Sequence, residues 1–335
     1  MVKVGIIGLG YWGPNLVRNF QSVKNVEVMS VADFDDQRLS KIHQIYPQIQ
    51  LFKDAEEIFN DPNIDAVVLA TPINTHYHLA KKALEKNKHV LVEKPLATSR
   101  AEVLELIEIA DSRNLSLMVD HTFLYTGAVQ KIKEVVDSGE LGKLQYFDST
   151  RINLGLFNPN WSVIWDLAVH DLSIFDYISG GKKPVAVSAT GVAHTKMGIE
   201  NLAYISLFFD DDTFAHITSS WISPVKIRKT LIGGSNKMVI YDDVEPTEKI
   251  KIYDSGFSVS SPEDVHKWLI DYRFGDIYIP KLSQMEALKG VADDFIASIT
   301  DKKKPLASSE SGLNVVTILE AAQKSLVHRG QTIEL

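Results

Sequence analysis

Short apolar runs recur along the first 120 positions: VKVGIIG, VEVMSVAD, DAVVLAT, KHVLVEK and LSLMVD. Each is apolar at nearly every position rather than at alternate ones, the pattern of a strand covered on both faces. Between them lie stretches with helical spacing of apolar residues, such as PNLVRNFQS, AEEIF, HYHLAKKALEK and SRAEVLELIEIADSR. Strand alternating with helix predicts parallel pairing through crossover helices, hence a doubly wound α/β domain over residues 1–121.

The rhythm changes after His121. A helical GAVQKIKEVVDSGELG leads into longer, partly alternating runs: KLQYFDSTRINL, KPVAVSATGVAH, LAYISLFFD, TFAHITSSWIS, VKIRKTLIGG and NKMVIYDD. The short polar connections DDDT (210–213) and GGSN (233–236) read as hairpin turns. Two helices, about 283–300 and 310–328, close the chain. Residues 122–335 are therefore expected to form an α+β domain, with helices on one face of a largely antiparallel open sheet.

Composition narrows the function. A chain of 335 residues exceeds the usual size of one core, and 45% apolar with 23% charged residues is an ordinary globular mixture. Lys+Arg 35 against Asp+Glu 43 gives −8, which disfavours nucleic acid as a partner. With no cysteine, disulfides, thiolate nucleophiles and Cys-ligated metals are excluded. Glycines interrupt MVKVGIIGLG by residue 5, and no apolar stretch approaches the roughly 20 residues that span a bilayer. A soluble, cytoplasmic protein without membrane contact is expected.

The first strand runs directly into Gly8-Leu9-Gly10-Tyr11-Trp12-Gly13, which opens the first helix. Alone, GxGxxG is weak; between a strand and a helix it is a dinucleotide fingerprint. Gly8 allows the tight turn, Gly10 lets backbone approach a pyrophosphate, and Gly13 lets helix and strand pack closely. Tyr11 and Trp12 lie inside this loop and join the cofactor-binding set. Asp33 stands 20 residues past Gly13 at the end of the second run, where a carboxylate accepts ribose hydroxyls and repels a 2′-phosphate. Phe34 rather than Arg follows it, so NAD is favoured over NADP, with Arg38 keeping the alternative open.

Further segments make the pattern specific: Thr71-Pro72-Ile73-Asn74-Thr75-His76, Glu93-Lys94-Pro95, and WDLAVHD with Asp166 and His170 four apart. Together with the fingerprint they resemble the Gfo/Idh/MocA oxidoreductases, the glucose-fructose oxidoreductase and inositol dehydrogenase family, over essentially the whole chain. GLGYWGPNLVRNF, NVEVMSVAD, WDLAVHDLSIFDY and YRFGDIYIP look like its nucleotide-sugar branch, which includes UDP-N-acetylglucosamine 3-dehydrogenases. The resemblance implies a Rossmann domain in which Gly8, Gly10, Gly13 and Asp33 hold the dinucleotide. Thr71, Pro72 and His76 would line the nicotinamide side, and Glu93 would sit near the ribose. Lys94, Asp166 and His170 match the family's catalytic trio, and Lys94–Pro95 matches a bond that is often cis. Ile73 departs from the Asn common after Thr-Pro, and Asn74 is the candidate replacement.

Oxidising a secondary alcohol needs a hydride acceptor and a base. His170 suits the base because imidazole titrates near neutrality, and general-base assistance is worth about 10²- to 10⁴-fold. Asp166 orients the imidazole or holds a neighbouring sugar hydroxyl; Lys94 would stabilise the developing alkoxide. His121 reads as a structural residue, and His76 is open between structure and cofactor. No HxxH or HExxH is present, so no metal is expected. For substrate, Arg151, Asn153, Lys226, Arg228 and Arg273 are candidate partners of a diphosphate, with Lys226 and Arg228 expected on one strand face. Trp161 and Trp165 cover the sugar or pack on the helix.

These readings converge on NAD-dependent oxidation of a ring hydroxyl, foremost C3 of a UDP-N-acetylglucosamine-like nucleotide sugar. An inositol or free-sugar dehydrogenase and an NAD-dependent glycosidase of the same family are the alternatives. A catalytically dead dinucleotide sensor is a third class, which intact Lys94, Asp166 and His170 argue against. An exposed face of the second sheet predicts a homodimer or homotetramer.

Overall fold

A computed structural model describes residues 1–155, 157–196, 198–258 and 271–335. The chain groups into two compact units, Met1–Thr126 with Met285–Glu320, and Gly127–Gln284 with Ala321–Leu335.

The first unit holds six parallel strands: β1 (Val2–Ile7), β2 (Val26–Ala32), β3 (Gln50–Phe52), β4 (Ala66–Leu69), β5 (His89–Glu93) and β6 (Leu117–Asp120). Their order is β3-β2-β1-β4-β5-β6. All of β4 and β6 is buried, as the unbroken apolar runs require. The helices are α1 (Gly13–Gln21), α2 (Asp36–Ile45), α3 (Glu56–Asn60), α4 (His76–Glu85) and α5 (Arg100–Ser112). The strand order reverses between β1 and β4, and a crevice for ligands lies outside the carboxyl ends of strands at such a point. Segment Met285–Glu320 adds to this unit a helix, Ala287–Thr300, and the start of another, Ser309–Val327. Phe295 packs edge-to-face on Phe20 at 6.2 Å, and the Tyr125 hydroxyl donates to Asp294 at 2.8 Å. Those contacts tie sequence-distant residues into the core of the first unit, which a single boundary at residue 121 does not include.

The second unit is built on β7 (Leu144–Leu154), β8 (Ala186–Val192), β9 (Leu202–Phe208), β10 (Phe214–Ser220), β11 (Ile222–Gly234), β12 (Met238–Asp242) and β13 (Ile250–Tyr253). A two-stranded ribbon, β14 (Gly256–Ser258) with β15 (Asp271–Arg273), stands apart, while β16 (Ile277–Tyr278) and β17 (Ile333–Glu334) extend the main sheet. The order is β16-β13-β12-β11-β7-β10-β9-β8-β17, antiparallel except for the parallel pair β7–β10. Both hairpins expected from DDDT and GGSN form, joining β9 to β10 and β11 to β12. Among the described residues this unit also holds α6 (Gly127–Asp137), α7 (Val169–Ile178) and the end of the helix Ser309–Val327, and Phe175 of α7 sits 5.4 Å from Phe147 of β7. Along β7, β9 and β10 the alternate residues Tyr146, Tyr204, Phe208 and Phe214 remain exposed. Register places Phe208, Phe214 and Tyr146 in one row across three strands. Among the described residues no helix is long and apolar enough to cross a membrane.

Candidate active site

The glycine loop is built as its spacing requires. Gly8 has φ +95°, and a β-carbon there would lie 2.4 Å from the carbonyl oxygen of Ala70, at the end of the neighbouring strand β4. A β-carbon on Gly13 would meet the Gly8 carbonyl at 2.2 Å, so this glycine seats α1 on the loop. Gly10 faces open space instead, leaving its backbone approachable. No side chain caps α1, and its first amides therefore remain directed at whatever anion enters the loop. Tyr11 and Trp12 project beside it, 83% and 42% exposed.

Asp33 lies just past β2, and its side chain is 9% exposed. One carboxylate oxygen accepts the Leu9 amide at 2.6 Å; the other accepts the Asp35 amide at 2.9 Å. The same group thus pins the glycine loop to the segment after β2. Arg38 reaches Asp33 at 3.5 Å and Asp35 at 3.4 Å, so its charge is engaged by two carboxylates. Loop amides, an open Gly10 and a fixed carboxylate fit a dinucleotide without a 2′-phosphate.

Beyond β4, Pro72 and Asn74 are exposed, and the Thr75 hydroxyl donates toward Thr71 Oγ1 and the Pro72 carbonyl, both at 2.7 Å. His76 is buried, with its ring nitrogens 2.8 Å from the carbonyls of Pro95 and Thr71. Burial pushes its pKa down, against the pull of those carbonyls. His76 therefore staples the loop after β4 to the segment carrying Lys94, and it acts on that loop rather than presenting its ring to a ligand. The Lys94–Pro95 bond is cis.

Lys94 directly follows β5, beside two acids. Glu93 and Asp120 are register partners at the carboxyl ends of β5 and β6. Burial, reinforced by Asp120, raises Glu93 well above the usual carboxylate range, and burial raises Asp120 as well. Thr122 donates to one Asp120 oxygen at 2.6 Å and the Lys94 amide to Glu93 at 3.2 Å. Two adjacent buried acids hold a proton more readily than two charges. His121 is buried, and neither ring nitrogen has a hydrogen-bond partner among the described residues. Burial first, and Lys94 second, push its pKa down to about 3, so it is neutral at physiological pH.

In the second unit, WDLAVHD is helical, but its first part is a π-helix, Ile164–Ala168, which passes into α7 at Val169. Such wide turns re-aim side chains and cluster at functional sites. From residue 162 to 176 every residue is buried except Asp166 and His170. An acid and an imidazole thus share the one accessible edge of an otherwise interior helix. Asp166 Oδ2 accepts the indole N–H of Trp221 at 3.0 Å. Trp165 is buried, lies tilted against Trp161 at 5.4 Å and donates to Gln323, so it packs.

The expected substrate cations divide. Arg151 is 2% exposed, and its Nε and Nη2 donate to Asp171 at 2.7 and 3.0 Å. The role expected for it as an accessible phosphate ligand is thereby replaced by an internal pair locking β7 to α7. Arg228 is its register partner on β11, half-buried and 3.3 Å from Asp243. Lys226 does not share a regular face with Arg228, because the β7–β11 register slips between Ile222 and Ile227. Pro224 lies in that slip, and proline cannot donate to the ladder. Asn153, half-buried near the end of β7, lies opposite the same irregular stretch. Arg273 is committed to Asp254. Trp221, Asp171 and Asp120 were not among the residues picked from sequence. Only Asp120 left a signal, a second carboxylate at a strand end.

Comparison with known proteins agrees with this geometry. Residues 2–121 match the oxidoreductase family model described as an NAD-binding Rossmann fold, and residues 129–240 match the GFO/IDH/MocA C-terminal domain. The chain belongs to the Gfo/Idh/MocA family. This Gfo/Idh/MocA protein is an NAD-binding oxidoreductase. It is 24% identical to the myo-inositol 2-dehydrogenase of Thermotoga maritima, covering 97% of this chain and 96% of that one. Its fold matches the UDP-N-acetylglucosamine 3-dehydrogenase of Acidithiobacillus ferrooxidans with TM-score 0.82, 21% identity and 97% of each chain covered. An oxidoreductase from Agrobacterium radiobacter, solved with NAD+, L-tartaric acid and magnesium, matches with TM-score 0.81, 18% identity and coverage of 99% and 98%.

Proposed function

We propose that this protein oxidises a secondary ring hydroxyl of a sugar, with C3 of a UDP-N-acetylglucosamine-like nucleotide sugar as first candidate. The observation that carries the reading is the pairing of Asp166 and His170 as the accessible residues of a buried helical stretch. Bound NAD supplies the hydride acceptor. His170 takes the hydroxyl proton through its imidazole, and Asp166 holds the imidazole or a vicinal hydroxyl. Lys94, beside Glu93 at the end of β5, offsets the negative charge that grows on the substrate oxygen. The loop amides before α1 and the Asp33 carboxylate hold the dinucleotide in place, so the chain contributes mainly alignment.

The nucleotide-sugar assignment leans on the likeness to the Acidithiobacillus enzyme, with Arg228 and Asn153 as phosphate partners. The full-length similarity to a myo-inositol 2-dehydrogenase favours a second reading, oxidation of a free polyol. Purified protein with NAD, offered UDP-N-acetylglucosamine, other nucleotide sugars, free sugars, glycosides and inositols, separates them by NADH absorbance and product mass. NADH with UDP-N-acetylglucosamine supports the first reading, and NADH with myo-inositol alone supports the second. Glycoside cleavage without net NADH would replace both. We propose further that the open face carrying Tyr146, Tyr204, Phe208 and Phe214 is covered by a second copy. Light scattering that finds a monomer would remove that element.

A further inference from the structure

The indole of Trp221 is placed as a tool rather than as filling. It is 1% exposed and lies at the corner between β10 and β11, held by its own backbone: its amide donates to the Asn201 carbonyl and its carbonyl accepts the Gly155 amide, both at 2.9 Å. Gly155 exists to admit the ring, since a β-carbon there would come within 2.4 Å of Trp221 Cδ1. Phe157 lies against the ring at 5.8 Å. Held on these sides, the ring aims its single polar atom at Asp166 Oδ2, 3.0 Å away, in the π-helical turn.

An indole N–H donates and cannot accept. The Asp166 oxygen it meets is therefore the acceptor of this bond. Anchoring one oxygen at 3.0 Å restricts the rotamer of a side chain that stands at an accessible edge. The donor that meets this oxygen comes from 55 residues away, on another element. We infer that Trp221 is a positioning residue for Asp166, setting the orientation in which that carboxylate meets His170 or a sugar hydroxyl. The inference rests on the proposed role of Asp166 in sugar oxidation.

Trp221→Phe keeps the ring and deletes the N–H. Assayed with NAD and UDP-N-acetylglucosamine, or with myo-inositol if NADH forms only there, it should lower kcat about 10- to 100-fold, the worth of a hydrogen bond to a charged group. NAD affinity should stay within about twofold and KM should move less than kcat, as for an interaction used mainly in the transition state. In an Asp166→Ala background, which removes the acceptor, the same change should cost nothing more of the residual kcat, whereas a purely structural tryptophan would cost as much in both backgrounds. Wild-type kcat in Trp221→Phe, with Asp166→Asn inactive, overturns the inference and leaves the proposed function standing. Wild-type kcat in Asp166→Asn overturns the role of Asp166 and the inference with it. Should Trp221→Phe fail to fold, Gly155→Ala displaces the ring with its N–H intact and should lower kcat likewise. Independently of any substrate, the indole proton resonance of Trp221 should move upfield in Asp166→Ala, and an unmoved resonance overturns the contact.

Discussion

The two units carry their chemistry in different ways. In the first, the nucleotide fingerprint is backbone, the Gly8–Gly13 loop and the uncapped start of α1, while charged side chains, Asp33, Glu93, Lys94 and Asp120, stand at or just past the strand ends. In the second, side chains from distant positions are paired in the interior, Arg151 with Asp171 and Asp166 with Trp221. Backbone sites recur wherever the turn is repeated, which suits a shared cofactor. Side-chain pairs can be redrawn one residue at a time, which suits a substrate that differs among relatives.

The comparison breaks most visibly at Arg151. Replacing it with leucine leaves Asp171 charged and buried without its main partner, a loss of about 3–5 kcal/mol. The melting temperature should fall on the order of 10 °C, while the joint change Arg151→Leu with Asp171→Leu should recover much of it. A single variant as stable as wild type would show the pair to be dispensable. Next comes Asp33→Ala, which removes both the proposed ribose acceptor and the anchor of the Leu9 amide, and frees Arg38 from one carboxylate. NAD affinity should fall about 10- to 100-fold, and the NAD-to-NADP preference should shift at least about tenfold toward NADP. An unchanged preference, measured by titration with both nucleotides, would remove Asp33 from the ribose role.

The smallest effect belongs to His121. Its folded pKa of about 3 lies below the ordinary imidazole value, so between the two the unfolded chain binds the extra proton. This group therefore makes stability fall as pH drops from about 6.5 toward 3, by up to about 1.4 kcal/mol per pH unit. His121→Phe should show a shallower loss of melting temperature between pH 7.5 and pH 5 than wild type. Equal slopes would mean that the ring is protonated or solvated in the folded protein.

The difference between the units also explains what could be read from the chain. The five apolar runs, the glycine spacing and both hairpin turns are local signals and appear as expected. Short elements such as β3, three residues at the sheet edge, carry too little pattern to stand out. Asp166 and His170 were legible by spacing, but the π-helical turn that re-aims Asp166 has no local signature, and its partner Trp221 lies on another element. Arg151 resembled an accessible phosphate ligand because a sequence does not show which arginines find a buried acid. The slip that separates Lys226 from Arg228 was readable after all, in Pro224.

The central proposal is that Lys94 and His170 both take part in oxidising the substrate hydroxyl with NAD. The most direct measurement is NADH formation with UDP-N-acetylglucosamine or myo-inositol by wild type, Lys94→Ala and His170→Ala, each saturated with NAD after its affinity has been determined. The account predicts NADH from the wild type and a loss of at least about 100-fold in both variants, with His170→Ala binding NAD as tightly as wild type. Wild-type turnover in either variant would contradict it.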